Sequence, residues 1–157
     1  ALDWLQLKAG VNLEVARSYL VMADNLPLRA LYYAQDSSIQ ILMEHLLVWP
    51  VMSGHAWNEA LKDCSLLDLI HLCQVLALDA IKAQQLECSS VWAAFHSNWM
   101  VWLSRSYRLN SLYHAVVRLK SLKQHVSSHV TLNHSAVLER LRYIWLDAWI
   151  YEENAFD

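Results

Sequence analysis

Glycine and proline together fill only four of the 157 positions: two of each. A sandwich or barrel must reverse its chain about every 8 to 12 residues, and phosphate-cradling loops are built from glycine. So sparse a supply of turn residues predicts an all-α fold of long helices joined by short links. The length suits one domain with a core of its own. With 56% hydrophobic and 17% charged residues, the chain buries too much apolar surface to be a disordered tail. Eight tryptophans serve a thick core or an interface, and composition alone does not separate the two.

The mean hydropathy of +0.18 raises the question of a membrane. The longest apolar run, Leu46-Leu47-Val48-Trp49-Pro50-Val51-Met52, falls far short of the roughly 20 residues a spanning helix needs. No basic stretch followed by an apolar one opens the sequence, as a secretory signal would. The opening residues Ala1-Leu2-Asp3-Trp4 lack an initiating methionine, as expected of an excised fragment or a processed product. Cys64, Cys73 and Cys88 are odd in number and form no C-x-x-C pair. We therefore expect neither a disulfide framework nor a zinc knuckle, no membrane association, and an intracellular setting, cytoplasmic or nuclear.

Apolar spacing places helices along most of the chain. Residues 2–24 read as helix interrupted at Gly10, and Asp24-Asn25-Leu26-Pro27 as a tight link with Pro27 opening the next helix. That helix is expected to run to about Val48 and to end at Trp49-Pro50. A loop over 51–55 and a short helix over 56–61 follow. Ser65 caps a helix running to about Leu86 that is apolar on more than one face, and so central. Trp92, Phe95, Trp99 and Trp102 then form one aromatic stripe. Asn110-Ser111 reads as a link before a helix over 112–126. A polar loop over 127–134 precedes a final helix capped by Ser135, with the stripe Leu138, Leu141, Trp145 and Trp149.

Six or seven such helices form either stacked antiparallel hairpins or a closed bundle, and internal repetition bears on the choice. Arg17-Ser18-Tyr19 recurs as Arg105-Ser106-Tyr107, and Leu31-Tyr32-Tyr33-Ala34 as Leu112-Tyr113-His114-Ala115, with unequal separations. Ala16-x-x-Tyr19, followed after a turn by Ala30, Ala34 and Ser37, resembles the tetratricopeptide pattern, and Ser104-x-x-Tyr107 with Ala115 is a poorer second match. Pro50 arrives late for that family's closing proline, and residues 65–86 have no counterpart. The resemblance covers about half the chain and is of the irregular kind found in helical scaffolds such as separases and cohesin loaders. It implies a TPR-like α-solenoid fragment, with residues 1–157 as one helical domain, that presents a surface to a partner protein or to the rest of a longer chain. Arg108 and His114, six residues apart, are similar in spacing to the R-x4-6-H motif of HEPN domains. That resemblance implies a closed bundle acting on RNA, with Arg108 and His114 as its catalytic pair.

The charge is unevenly spread. Residues 1–87 hold ten carboxylates and five cations, residues 88–138 five cations and no carboxylate, and residues 139–157 five carboxylates and two cations. The cations Arg105, Arg108, Arg118, Lys120 and Lys123, with Trp99, Trp102 and Tyr113 as apolar anchors, are the expected docking surface for an acidic or amphipathic partner segment. A net charge of −3 disfavours nucleic acid as the partner. His125, His129 and His134 form an H-x3-H-x4-H cluster without a carboxylate or cysteine nearby in sequence to complete a tetrahedral site, so no metal is expected. Cys73, beside His71, is expected to be a small buried hydrophobe. With no nucleophile elbow, no H-E-x-x-H and no glycine-rich loop, neither a cofactor nor catalysis is expected.

Overall fold

A computed structural model describes residues 1–37, 39, 40, 46, 54–86, 109–128 and 133–149. Every regular element among them is helical: α1 (Leu2–Ala9), α2 (Leu13–Met22), α3 (Pro27–Gln35), α4 (Gly54–Leu61), α5 (Leu66–Leu86), α6 (Leu109–Ser128) and α7 (His134–Ala148). The helices of the first third meet one another pairwise, α1 with α2 and α3, and α2 with α3. Gly10 ends α1 at φ 67, a left-handed conformation cheap only for glycine, and donates its N–H to Gln6. Asn12 opens α2 by accepting the Val15 N–H at 2.9 Å. Asp24 and Asn25 both take positive φ, 53 and 61, and Pro27 starts α3. Ala16 and Ala30 are fully buried, so α2 and α3 approach closely.

Several boundaries differ from the sequence reading: α4 begins at Gly54, inside the expected loop over 51–55, and α6 runs to Ser128, past the expected end at 126. α3 stops at Gln35, because Asp36 turns extended, and the Gln40 amide donates to the Ala34 carbonyl at 3.4 Å. A side chain thus satisfies one of the carbonyls that continued helix would have used. The expected end at Trp49-Pro50 lies outside the described residues. Asn110 and Ser111 are not a link but sit in the first turn of α6. Asn133, not Ser135, caps α7, accepting the Ala136 N–H at 3.3 Å.

α5 carries the core. The Ser65 hydroxyl accepts the Asp68 N–H at its start, and Leu69, Ile70, Leu72, Cys73, Leu76, Ala77, Ala80 and Ile81 are all buried. α6 and α7 pack on it and on each other, and α4 returns against α7. Trp57 on α4 donates its indole N–H to the Leu138 carbonyl at 3.2 Å, so this buried ring has a partner for its polar end. Gly54 opens α4 under Arg142: a Cβ there would lie 3.1 Å from the guanidinium. Trp145 and Trp149 meet edge to face, with centroids 5.2 Å apart. Among the described residues no single helix is long and apolar enough to cross a membrane; α4 and α5 would pass together, but they meet at a bend of 119°.

The α2–α3 turn is joined to α5 through His71, which is buried. Its Nε2 lies 2.6 Å from the Met22 carbonyl and its Nδ1 lies 3.4 Å from the Lys123 ammonium on α6. One neutral tautomer satisfies both contacts: Nε2–H donates to the carbonyl and Nδ1 accepts from the lysine. Asp24 stands 3.9 Å from Nε2, and Arg29 bridges Asp24 and Asp68 at 3.8 and 3.9 Å. Burial, reinforced by Arg29 and Lys123 against the Met22 bond and Asp24, lowers the His71 pKa below its ordinary 6.5. The unfolded chain therefore takes up this proton more readily than the folded one. His71 contributes its full stability above about pH 6.5 and loses it as the pH falls through the lower folded value. Urea midpoints measured at pH 7.5 and 5.5 should show the wild type weakening on acidification and His71→Gln weakening distinctly less.

Candidate functional site

The rotation of α6 decides which of its side chains can act together. Leu112, Ala115, Leu119 and Leu122 are buried and define the inner face. Residues two apart on a helix are turned by about 200°. Arg118 and Lys120 therefore leave α6 on opposite flanks.

One flank faces α7. Ser111, His114, Ala115 and Arg118 from α6, with Ile144 and Asp147 from α7, line an open groove of about 350 Å³. Ala115 and Ile144 are its apolar floor. The Arg118 Nη1 donates to Asp147 Oδ2 at 2.8 Å, with both side chains about half exposed. That contact uses one of five guanidinium N–H groups and leaves most of the fork for a ligand. Arg140, Tyr143 and Asp147 follow one another at spacings of three and four on α7, so they share a face. Tyr143 is 53% exposed. The groove thus has guanidinium and imidazole groups along its walls, one carboxylate, and an exposed aromatic ring beside it.

The other flank carries Tyr113, Val117 and Lys120. Tyr113 donates its hydroxyl to Gln85 on α5 at 2.9 Å. Val117 is 68% exposed, the most open aliphatic side chain described on α6. Lys123 turns inward to His71.

The cations expected to form one docking surface are thus distributed over α6: Arg118 lines the groove, Lys120 sits opposite with Tyr113, and Lys123 reaches the core histidine. Trp99, Trp102, Arg105 and Arg108 lie outside the described residues. His114, the histidine of the HEPN-like pair, lies in the groove beside Arg118. Arg140, Tyr143 and Asp147 escaped the sequence reading because Glu139 ends the cationic run; the helical spacing of the three was the signal that would have found them. Of the histidine cluster, His134 lies 3.3 Å from the Cys64 carbonyl and His129 is outside the described residues. Among the described residues no three His, Cys, Asp or Glu side chains stand close enough to hold a metal ion. Cys73 is buried, and burial raises its thiol pKa well above the ordinary value.

Compared with known proteins, the chain matches no family model, no curated sequence and no solved structure.

The groove is built on packing rather than on its ion pair, since a half-exposed pair contributes at most about 1 kcal/mol. Asp147→Asn should accordingly lower unfolding stability by no more than that, as read by denaturant titration, with the helical circular dichroism unchanged.

Proposed function

We propose that the chain is a protein-interaction module whose α6–α7 groove holds an acidic or amphipathic segment of a partner. The observation that carries this is the groove's composition. Arg118 presents a half-exposed fork already oriented by Asp147, His114 stands beside it, and the Ala115–Ile144 floor continues to the exposed Tyr143. A carboxylate side chain can take the unused guanidinium N–H groups while an apolar residue covers the floor, as in helix-in-groove recognition. Fixed donors at the rim give orientation and on-rate, and the apolar floor gives residence. The partner is another protein or the remainder of a longer chain.

The packing of α4 against α7 supports the closed arrangement over the open stack. α7 meets α4 and α5 as well as its own partner α6, and one helix packed on three others is what a bundle provides. Tyr33 is buried while His114, its equivalent in the repeated tetrapeptide, is exposed, so the two copies do not present the same face. Non-equivalent copies favour a bundle that uses one groove rather than a repeated concave surface.

A second reading, action on RNA, draws on the same His114 imidazole, paired in the R-x4-6-H resemblance with Arg108, which lies outside the described residues. If the groove is a ribonuclease site, purified protein will degrade mixed RNA, and His114→Ala will stop it. Intact RNA after prolonged incubation removes this reading.

The interaction reading separates the two flanks of α6. Binding of a fluorescein-labelled amphipathic peptide rich in glutamate, followed by anisotropy, should weaken at least about tenfold in Arg118→Glu and change less than about twofold in Lys120→Glu. Equal effects of the two reversals, or no binding by the wild type, would set the groove aside.

A further inference from the structure

The contacts of His71 hold for one charge state only. The side chain is 5% exposed and stands on α5 where the end of α2 and the body of α6 both reach it. Uncharged, the ring donates from Nε2 to the Met22 carbonyl at 2.6 Å and accepts from the Lys123 ammonium on Nδ1 at 3.4 Å. A proton added to this tautomer goes to Nδ1, the nitrogen whose lone pair the lysine uses. The two groups then face each other as donors of like charge, and neither serves the other. The Met22 carbonyl is in the opposite position. An imidazolium N–H is a stronger donor than a neutral one, so that bond tightens.

The charged groups around the ring decide which contact gives way. In the α2–α3 turn, Asp24 lies 3.9 Å from Nε2 and is 62% exposed, so it has room to close on a new positive charge. Arg29 on α3 shares Asp24 with the ring and keeps a second carboxylate, Asp68 on α5, at 3.9 Å. Lys123 on α6 is half-buried, and rotation of its long stem carries the ammonium to water. Among the described residues, Arg29, Asp24 and Lys123 are the charges that act on His71, while Asp68 on its own helix is held by Arg29. Of these contacts only the lysine's turns repulsive when the ring is charged and is also free to part by side-chain rotation.

We propose that His71 is a proton-operated latch on α6: the neutral ring holds the Lys123 ammonium, and the protonated ring releases it to solvent while keeping the Met22 carbonyl. Histidine is the side chain whose charge changes between about pH 5 and 8, so the latch works in mild acid. Lys123 lies three residues beyond Lys120 and shares its flank of α6. Acid therefore sets a second free ammonium beside Lys120, on the side away from the groove, with the fold intact. The latch is independent of what the groove binds.

Competitive labelling tests it. Lysines are methylated with limiting formaldehyde and cyanoborohydride in steps from about pH 7.5 to about pH 5, and peptide mass spectrometry gives the ratio of Lys123 to Lys120 modification. Lys120 is exposed throughout, so the ratio cancels the general effect of pH on amines. It should rise at least about threefold on acidification while Cys73, fully buried, stays closed to N-ethylmaleimide and so marks an intact core. In His71→Gln the amide offers a donor to Met22 and an acceptor to Lys123 but takes up no proton, and the ratio should stay low and flat. Asp24→Asn removes the carboxylate that favours the charged ring, and should move the rise to lower pH. A ratio that stays level until Cys73 becomes reactive, or that rises equally in His71→Gln, overturns the latch. If His71→Gln does not fold, the wild-type ratio read against Cys73 and the displacement in Asp24→Asn decide it, and a rise at unchanged pH in that variant overturns it as well.

Discussion

Burial of α5 on opposing sides at once is the constraint from which the arrangement follows. A helix with a single apolar stripe can rest on one layer, but Leu69, Ile70, Leu72, Cys73, Leu76, Ala77, Ala80 and Ile81 wrap around far more of the cylinder. Water is excluded from them where α6 and α7 pack along the rod and where the end of α2 meets it at His71. Because α6 and α7 both rest on the same rod, they also meet each other. The groove is the space their outer flanks leave open, so its position is a by-product of core packing, and its chemistry is decided by residues that packing leaves free to vary.

The helical class, the cap at Ser65, the break at Gly10 and the opening of α3 at Pro27 were legible in the sequence, because each depends on residues within one turn of the boundary. The ends of α3 and the start of α7 were not. Asp36 breaks α3 with help from the Gln40 side chain, and Asn133 rather than Ser135 reaches back to the α7 amides; both depend on which of several polar residues wins a local contest. The site was legible only in part. Arg118 and His114 could be named from charge and spacing, but their separation from Lys120 and Lys123 needed the phase of α6 about its axis. That phase is set by which apolar residues α5 and α7 bury.

Two of the buried polar side chains have their partners in place. The imidazole of His71 has an acceptor on one nitrogen and a donor on the other, and the indole of Trp57 has a carbonyl. An apolar core tolerates many sequences and registers, whereas a buried donor or acceptor is costly unless its partner is in place. The His71 contacts select one packing of the first three helices on the rest, and the Trp57 contact one packing of α4 on α7, where the surrounding leucines alone would accept several.

Asp24 and Asn25 are both left-handed, a basin that L-residues other than glycine occupy at a cost. Two residues earlier lies the Met22 carbonyl that receives the imidazole, and Asn25 closes the turn by donating its own N–H to Leu20 at 2.7 Å. Local backbone tension and a long-range contact are therefore spliced into the same six residues, Leu20 to Asn25. The hairpin cannot relax its dihedrals while keeping that carbonyl aimed at α5, so loosening either one loosens the other, and the seam between the two parts of the molecule opens as a unit.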